Sequence, residues 1–416
     1  MHMAKIKKLL VIDSSYSYEA IVDRGIQSSV TCRDLNGYFA HVWSVHPFAT
    51  LVTSKKWSNR YGLPVFYKIN SQHTFIEGKI GRYNFLKYIS VLNFLISQLS
   101  IFIILLRLIN NEKITVIRAG SPLYVGLFSW ALSKISCIPF IVRVGGNHDK
   151  IYADTKTVQE SRLFKFRYIE KRVENFIFKR ADLIAGANQD NLNFAINNGA
   201  PPEKSTIFRY GNLIDSRHFI APKDRDYKNL SFDEPFLNKQ FILYVGRLEP
   251  VKRPQDVLLL LSNLLERKID INAVMVGEGR LLDDMVNLAK SLNIVERVYF
   301  TGNRDQIWLS SILPLCTLFI SPHTGRALTE AALAGAPVVA YDVDWQGELI
   351  INGKTGELVS FGNVDDLTDS SLKIISNPEY SNKIRKNLRN FALETMDPDL
   401  LNKHEINSFN SIINRN

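Results

Sequence analysis

The sequence predicts two doubly wound α/β domains in tandem, each a parallel sheet with helices on both faces, their carboxyl strand ends facing a cleft. Three observations carry this. From Lys7 onward, short apolar, β-branched runs alternate with longer stretches of helical period. The alternation stops at residues 216–240 (SRHFIAPKDRDYKNLSFDEPFLNKQ), which are polar and without apolar period, and then restarts. The length, 416 residues, suits two domains and excludes a small stapled scaffold.

In chain order, basic residues precede an apolar run at the start, as in a secretion signal. That run is only Leu9 to Ile12 before Asp13, so it reads as a first strand. Tyr88–Leu106 is nineteen residues without a charge, long enough to span a membrane. Ser90, Asn93, Ser97 and Ser100 form a polar stripe at helical spacing, whereas Leu92, Leu95, Ile96, Leu99, Phe102, Ile103 and Leu106 mark an apolar face. The segment therefore reads as a buried or interfacial amphipathic helix, its apolar face toward the core. Strands follow at Thr115–Ile117 and Phe140–Val144, a helix at about Gln159–Arg180, and a strand at Leu183–Ala185.

Residues 1–215 thus form a first domain and 216–240 a linker. The second domain, 241–395, has strands Phe241–Val245, Asn272–Val276, Arg297–Thr301, Leu318–Ser321 and Pro337–Tyr341. Between them lie helices at about Pro254–Leu265, Leu281–Leu292, Asp305–Ile312 and Ala327–Leu333. Residues 396–416 hold a last helical pattern, about Asp399–Ile413, with no partner strand, a candidate for crossing back onto the first domain.

Hydrophobic residues make up 46% and charged residues 22%, which excludes collagenous, coiled-coil and disordered classes. Cys32, Cys137 and Cys316 are far apart, without a CxxC pair, so neither a disulfide framework nor a zinc site is expected, and a reducing cytoplasm fits. The net charge of +10 hides an asymmetry: residues 1–220 hold 29 Lys/Arg against 15 Asp/Glu, or +14, leaving −4 for the rest. That basic half is either a solvated surface or a partner for something acidic. No nucleic-acid module is present, so an anionic membrane surface leads.

Two segments carry chemistry. Tyr244-Val245-Gly246-Arg247-Leu248-Glu249-Pro250-Val251-Lys252 is a buried strand ending in Gly-Arg, with Lys252 at the approach to a helix. Backbone N–H groups, a helix dipole and two cations would converge there on a diphosphate; the plain alternative is a basic surface loop. Ser321-Pro322-His323-Thr324-Gly325-Arg326-Ala327-Leu328-Thr329-Glu330 is a strand end, a Gly loop and a short helix opening at about Gly325. Its free N–H groups suit phosphate or sugar, and Glu330, one turn in, suits a ribose diol.

Together these blocks resemble the donor domain of the retaining family 4 glycosyltransferases, glycosyl transferases group 1, whose fold is GT-B, two Rossmann-like domains. The likeness is strongest over residues 241–360. It implies that Arg247 and Lys252 hold the donor diphosphate, that Glu330 binds ribose, and that backbone amides from Gly325 to Leu328, with His323, Thr324, Arg326 and Ala327, line phosphates and sugar. Gly302, Asn303 and Arg304 look like the segment that reads the nucleotide base, and Gly246 and Gly277 like the glycine turns closing that pocket.

There are departures. The first Glu of the family's E-x7-E falls on Pro322, where His323 or Thr324 would have to substitute. The paired glycines after the first strand are absent, with only Gly25 beyond. The catalytic-site His expected after Val144 is missing, leaving His148 either to reach that space or to serve as a core histidine. Asn212 and Asp215 match the family's hinge motif.

The resemblance implies a metal-independent, front-face reaction with retention, using a UDP- or GDP-linked sugar as co-substrate and no further cofactor. Lys55, Lys56, Trp57, Arg60, Tyr61, Lys68, Lys79, Arg82, Tyr83, Phe85 and Lys87 interleave cations with aromatics, a pattern that suits an anionic bilayer or an ordinary solvated surface. The expectation is a cytoplasmic enzyme, peripheral at the inner membrane face, extending a lipid-linked or envelope saccharide such as a lipopolysaccharide. A sugar-nucleotide epimerase of the same architecture and a non-catalytic nucleotide-binding protein at a membrane surface are the competing classes.

Overall fold

A computed structural model describes residues 6–23, 26–49, 60–210, 214–225, 227 and 234–414. Gly25, Lys55, Lys56, Trp57 and Asn212 lie outside the described residues. The chain divides into two compact units, the first Met1–Leu213 with Pro398–Asn416, the second Ile214–Asp397.

The first unit is built on eight strands: β1 Lys8–Ile12, β2 His41–His46, β3 Val65–Lys68, β4 His73–Glu77, β5 Val116–Ala119, β6 Phe140–Val144, β7 Leu183–Gly186 and β8 Ser205–Ile207. Their order is β3-β4-β2-β1-β5-β6-β7-β8, parallel except where β3 runs against β4. The strands buried on both faces hold the near-continuous apolar runs that a covered parallel sheet needs. β2 departs from this, since it buries Ser44 and His46 within HVWSVH, as β5 does with Arg118. Both have partners: the Arg33 guanidinium donates to Ser44 Oγ at 2.9 Å, and the Phe48 N–H donates to His46 Nδ1 at 3.3 Å. Burial holds His46 neutral, its pKa pushed down to about 4.

Two readings are corrected here. The long apolar segment is a helix, Ser90–Glu112, but its orientation is the reverse of the one expected: Asn93, Ser97 and Gln98 are buried, while Leu92, Leu95, Leu99 and Ile103 are exposed. The polar stripe faces inward because backbone groups need it. Asn93 Oδ1 accepts from the N–H groups of Arg82 and Tyr83, Ser97 Oγ donates to the Lys79 carbonyl, and Gln98 Nε2 to that of Pro47. The helix expected from about Gln159 begins at Arg167, because Glu170 Oε1 takes the Glu160 N–H in a non-helical turn. A short helix at His148–Thr155 follows β6, capped by Asn147 Oδ1 accepting from Lys150 N at 3.1 Å.

The final helix, Pro398–Ile413, packs within the first unit, where Phe409 and Ile412 join Leu9, Val11, Val116 and Phe208 in one buried cluster.

The second unit holds a parallel sheet of six strands, β9 Phe241–Val245, β10 Asn272–Val276, β11 Val298–Gly302, β12 Leu318–Ser321, β13 Val338–Tyr341 and β14 Glu357–Val359. Their order is β11-β10-β9-β12-β13-β14, with β9 and β12 central. One apolar cluster lies on each sheet face, the first centred on Leu243, Val274, Phe319 and Leu333, the second on Ile242, Ala273, Ile320 and Leu261. Helices Val364–Ile375 and Pro378–Met396 follow β14.

The described part of 216–240 is not a free linker but packs into the second unit. His218 and Phe236 are buried there, and the Arg225 guanidinium donates to the carbonyls of His218 (2.7 Å) and Ile220 (3.0 Å) and also to that of Ser310.

Candidate functional site

In the second unit, the carboxyl ends of β9, β10, β11 and β12 all open on loops that bear candidate residues. The β9 turn and the loop after β10 are tied together: Gly246 N donates to the Val276 carbonyl at 2.9 Å and Leu248 N to that of Glu278 at 3.0 Å. At Gly277, whose φ is +132°, a Cβ would stand 2.0 Å from the Gly246 oxygen, so only glycine allows the two loops to approach this closely. Gly302 continues the ladder, its carbonyl accepting from Gly277 N at 2.9 Å, and Asn303 Nδ2 donates to Glu278 Oε2 at 3.0 Å.

This scaffold sets two cations at the edge. Arg247 is exposed and forms no ion pair among the described residues. Lys252 closes a short turn, Pro250–Lys252, and its Nζ reaches over to the β12 loop, donating to the Thr324 carbonyl with His323 Nδ1 at 3.4 Å. Burial, helped by the charge of Arg247, depresses the Lys252 pKa below that of an ordinary lysine.

The β12 loop leads into the helix Arg326–Ala334, with Gly325 in extended conformation as its N-cap. Lys252 Nζ would lie 3.9 Å from a Cβ at Gly325, so ammonium and helix mouth adjoin. The amides of the first turn, around Arg326, Ala327 and Leu328, open that helix, and its dipole adds positive potential at the same spot. The Thr324 hydroxyl donates to Asp344 Oδ2 at 2.6 Å. Glu330 is buried and ion-paired with Arg326, Nε to Oε1 at 3.0 Å; burial raises its pKa.

The structure therefore gathers Lys252, His323, Thr324, Gly325, Arg326 and Glu330 around one helix mouth, with Gly246, Gly277, Gly302 and Asn303 on the adjoining loops and Arg247 near enough for its charge to act on Lys252. Arg304 is drawn elsewhere, its guanidinium 5.0 Å from the Trp308 ring centroid and 3.5 Å from Glu234 Oε1. Pro322 is buried. The carboxylate missing there is not the last acid near the loop, because Asp344, just past β13, meets Thr324. Sequence reasoning passed over Asp344; its position after the carboxyl end of a parallel strand was the available signal.

His148 belongs to the first unit and is buried in an ionic network. Its Nδ1 lies 2.7 Å from Glu174 Oε1, and Arg167 grips Glu174 with two bonds of 2.7 and 2.8 Å while also pairing with Glu170 and Asp149. Burial opposes ionisation of Glu174, but the bonds from His148 and Arg167 overcome it and hold the carboxyl below the usual range. An ionised Glu174 only accepts, so His148 Nδ1 carries a proton. Of the cation–aromatic series, Lys79 turns inward to Glu77 at 3.4 Å, whereas Lys87 and Arg82 lie over the rings of Tyr88 and Tyr83.

Comparison with known proteins follows the same lines. Residues 226–391 match the family model of glycosyl transferases group 1. An N-acetyl-α-D-glucosaminyl L-malate synthase of Bacillus anthracis is 26% identical over 188 residues, covering 44% of this chain and 48% of that one. A poly(ribitol-phosphate) α-N-acetylglucosaminyltransferase of Staphylococcus aureus is 23% identical over 283 residues, 64% and 54% of the two chains. The match thus spans about half the length of these relatives. Among solved structures, HepE of Anabaena in complex with UDP aligns with a TM-score of 0.72 at 17% identity, over 97% of this chain and 100% of that one. Sucrose-phosphate synthase of Thermosynechococcus elongatus aligns with a TM-score of 0.72 at 15% identity, over 99% and 100%. Over residues 226–391 the chain is similar to the glycosyl transferases group 1, and its two units have the GT-B fold.

Proposed function

We propose that the protein transfers a sugar from a nucleoside diphosphate sugar, UDP- or GDP-linked, to a saccharide acceptor, with retention of configuration and without a metal. The observation that carries this is the pair of cations at one helix mouth. Lys252 is fixed on the Thr324 carbonyl, and Arg247 stands exposed with no ion pair among the described residues. A leaving diphosphate gains negative charge as the glycosidic bond breaks, and preorganised cations and helix amides stabilise that charge where it develops. Glu330 binds ribose once Arg326 turns toward the phosphates, and Asp344 with Thr324 takes the sugar hydroxyls that the family's first Glu would hold. Gly302 and Asn303 frame the base.

The first unit takes the acceptor, with His148 at its site, the proton on Nδ1 held by Glu174 and Nε2 turned to the incoming hydroxyl. The acceptor is a lipid-linked or envelope saccharide, and the protein works peripherally at the cytoplasmic face of the membrane; the cation–aromatic series of the first unit supports that placement.

A thermal-shift panel of UDP, GDP and their sugars tests the reading. A donor well above its dissociation constant adds a few kcal/mol to stability, about 2.7 kcal/mol at a hundredfold excess. The expected result is a shift with one nucleotide family, transfer that survives chelation, and an anomeric configuration kept in the product. Failure of every nucleotide to shift the transition overturns it.

A further inference from the structure

The helix Ser90–Glu112 has an outer face for which the described residues offer no cover. Leu92, Leu95, Leu99 and Ile103 recur at spacings of three and four and so form one stripe, roughly 16 Å long at 1.5 Å per residue. Leu95 is 58% exposed and Leu99 60%. At the start of the helix the stripe runs on into Tyr88, 86% exposed, and Phe85, 76% exposed. A continuous apolar face of this kind is uncommon on a protein that meets only water, and points to a surface that covers it.

The helix cannot rotate to hide this face. Asn93, Ser97 and Gln98 are committed to the backbone of residues 47 and 79–83, and Ile101, Leu105 and Ile109 are buried in the core of the first unit. At 23 residues, with a mean hydropathy of 2.1 over its most apolar 18, it is long and apolar enough to cross a membrane. Crossing would strip those bonds, whereas lying flat in the interface keeps them and covers the stripe.

Charge selects the occupant. Between Glu77 and Glu112 the chain has no acidic residue, while Arg82 and Lys87 flank one end of the stripe and Arg107 the other. A second copy of this face would meet it with like charge at both ends. An anionic bilayer offers hydrocarbon for the leucines, headgroup depth for the aromatics and phosphate for the cations.

We propose that the outer face of Ser90–Glu112, with Phe85 and Tyr88 at its head, is the surface on which the protein lies on an anionic lipid bilayer. This rests on the reading that the enzyme works at a membrane face and names the element responsible.

The test is co-sedimentation of the full chain with vesicles of phosphatidylcholine containing phosphatidylglycerol, and with phosphatidylcholine alone. The parent protein should bind the anionic vesicles. Leu95→Glu/Leu99→Glu should weaken that binding on the order of a hundredfold, about tenfold for each leucine kept from the acyl region. Lys87→Ala/Arg107→Ala should weaken it roughly fivefold per cation on anionic vesicles only. All four positions are exposed, and an unchanged thermal midpoint confirms that the variants fold. If the parent binds and the leucine variant binds equally well, the helix is the wrong element while the membrane reading stands. If the parent binds no vesicle, both fall; a dimer that the leucine variant dissolves would then assign the face to self-association.

Discussion

The two units share one plan, a doubly wound parallel sheet, but treat their charged groups in opposite ways. In the second, Arg247 and Lys252 stand at the ends of central strands without a carboxylate paired to either among the described residues. In the first, Arg167 is buried against Glu170, Glu174 and Asp149. A paired, buried charge holds structure in place, whereas a cation with no anion of its own is ready for one that arrives. On the proposed function the same side-chain chemistry serves folding in one unit and binding in the other, and substitutions should separate the two.

The largest effect is expected in the first unit. Arg167→Ala leaves Glu170 and Glu174 buried without their cation, and breaking a buried pair from one side costs about 3–5 kcal/mol. A drop in the thermal midpoint of the chain, with the shift on adding donor retained in whatever remains folded, would mark Arg167 as structural. A parent-like midpoint would erase the contrast between the units.

In the second unit the sign is reversed. Arg247→Ala or Lys252→Ala should leave the midpoint of the unliganded protein nearly unchanged, and Lys252→Ala should even relieve a cost. Because the folded pKa of Lys252 lies below that of a free lysine, the folded state binds its proton less well, and stability rises with pH between those two values. Turnover should fall about a hundredfold for either variant, the scale of one preorganised charge contact. Steady-state assays with the donor identified in the nucleotide panel check this; parent-like turnover in both variants removes the assignment.

The contrast also explains what could be read from the sequence. The site in the second unit lies on contiguous strand–turn–helix stretches, so Gly246, Arg247 and Lys252, and Thr324 to Glu330, were legible as units. The need for Gly277 was not, since it arises from the approach of the Gly246 carbonyl thirty-one residues earlier. Asp344 reaches Thr324 from beyond the next strand for the same reason. In the first unit the period of Ser90–Glu112 identified the helix, but the direction of its faces depended on backbone groups of residues 47 and 79–83 that no local pattern reveals. β2 was missed because Ser44 and His46 look unfit for a core until Arg33 and Phe48 supply their bonds.

The smallest effect sharpens the comparison within the first unit itself. Glu160 accepts the Tyr124 N–H at 3.2 Å but has no cation of its own among the described residues, and burial, with some repulsion from Glu170 and Glu174, lifts its pKa from 4.5 to about 7. Between those values the folded chain holds a proton that the unfolded chain has lost, so stability falls as pH rises from about 4.5 to about 7 and the cost is complete above that. Glu160→Gln keeps an acceptor for Tyr124 and removes the charge. Because the side chain is partly exposed, the gain should be on the order of 1 kcal/mol, or roughly 1–2 °C in a chain of this size. Thermal midpoints at pH 8 and pH 4 decide it: the variant should be the more stable at pH 8 and equal to the parent at pH 4. A gain of equal size at both pH values would mean that shape and not charge is responsible, and the buried carboxylates of this unit would then be better matched to Arg167 than their number suggests.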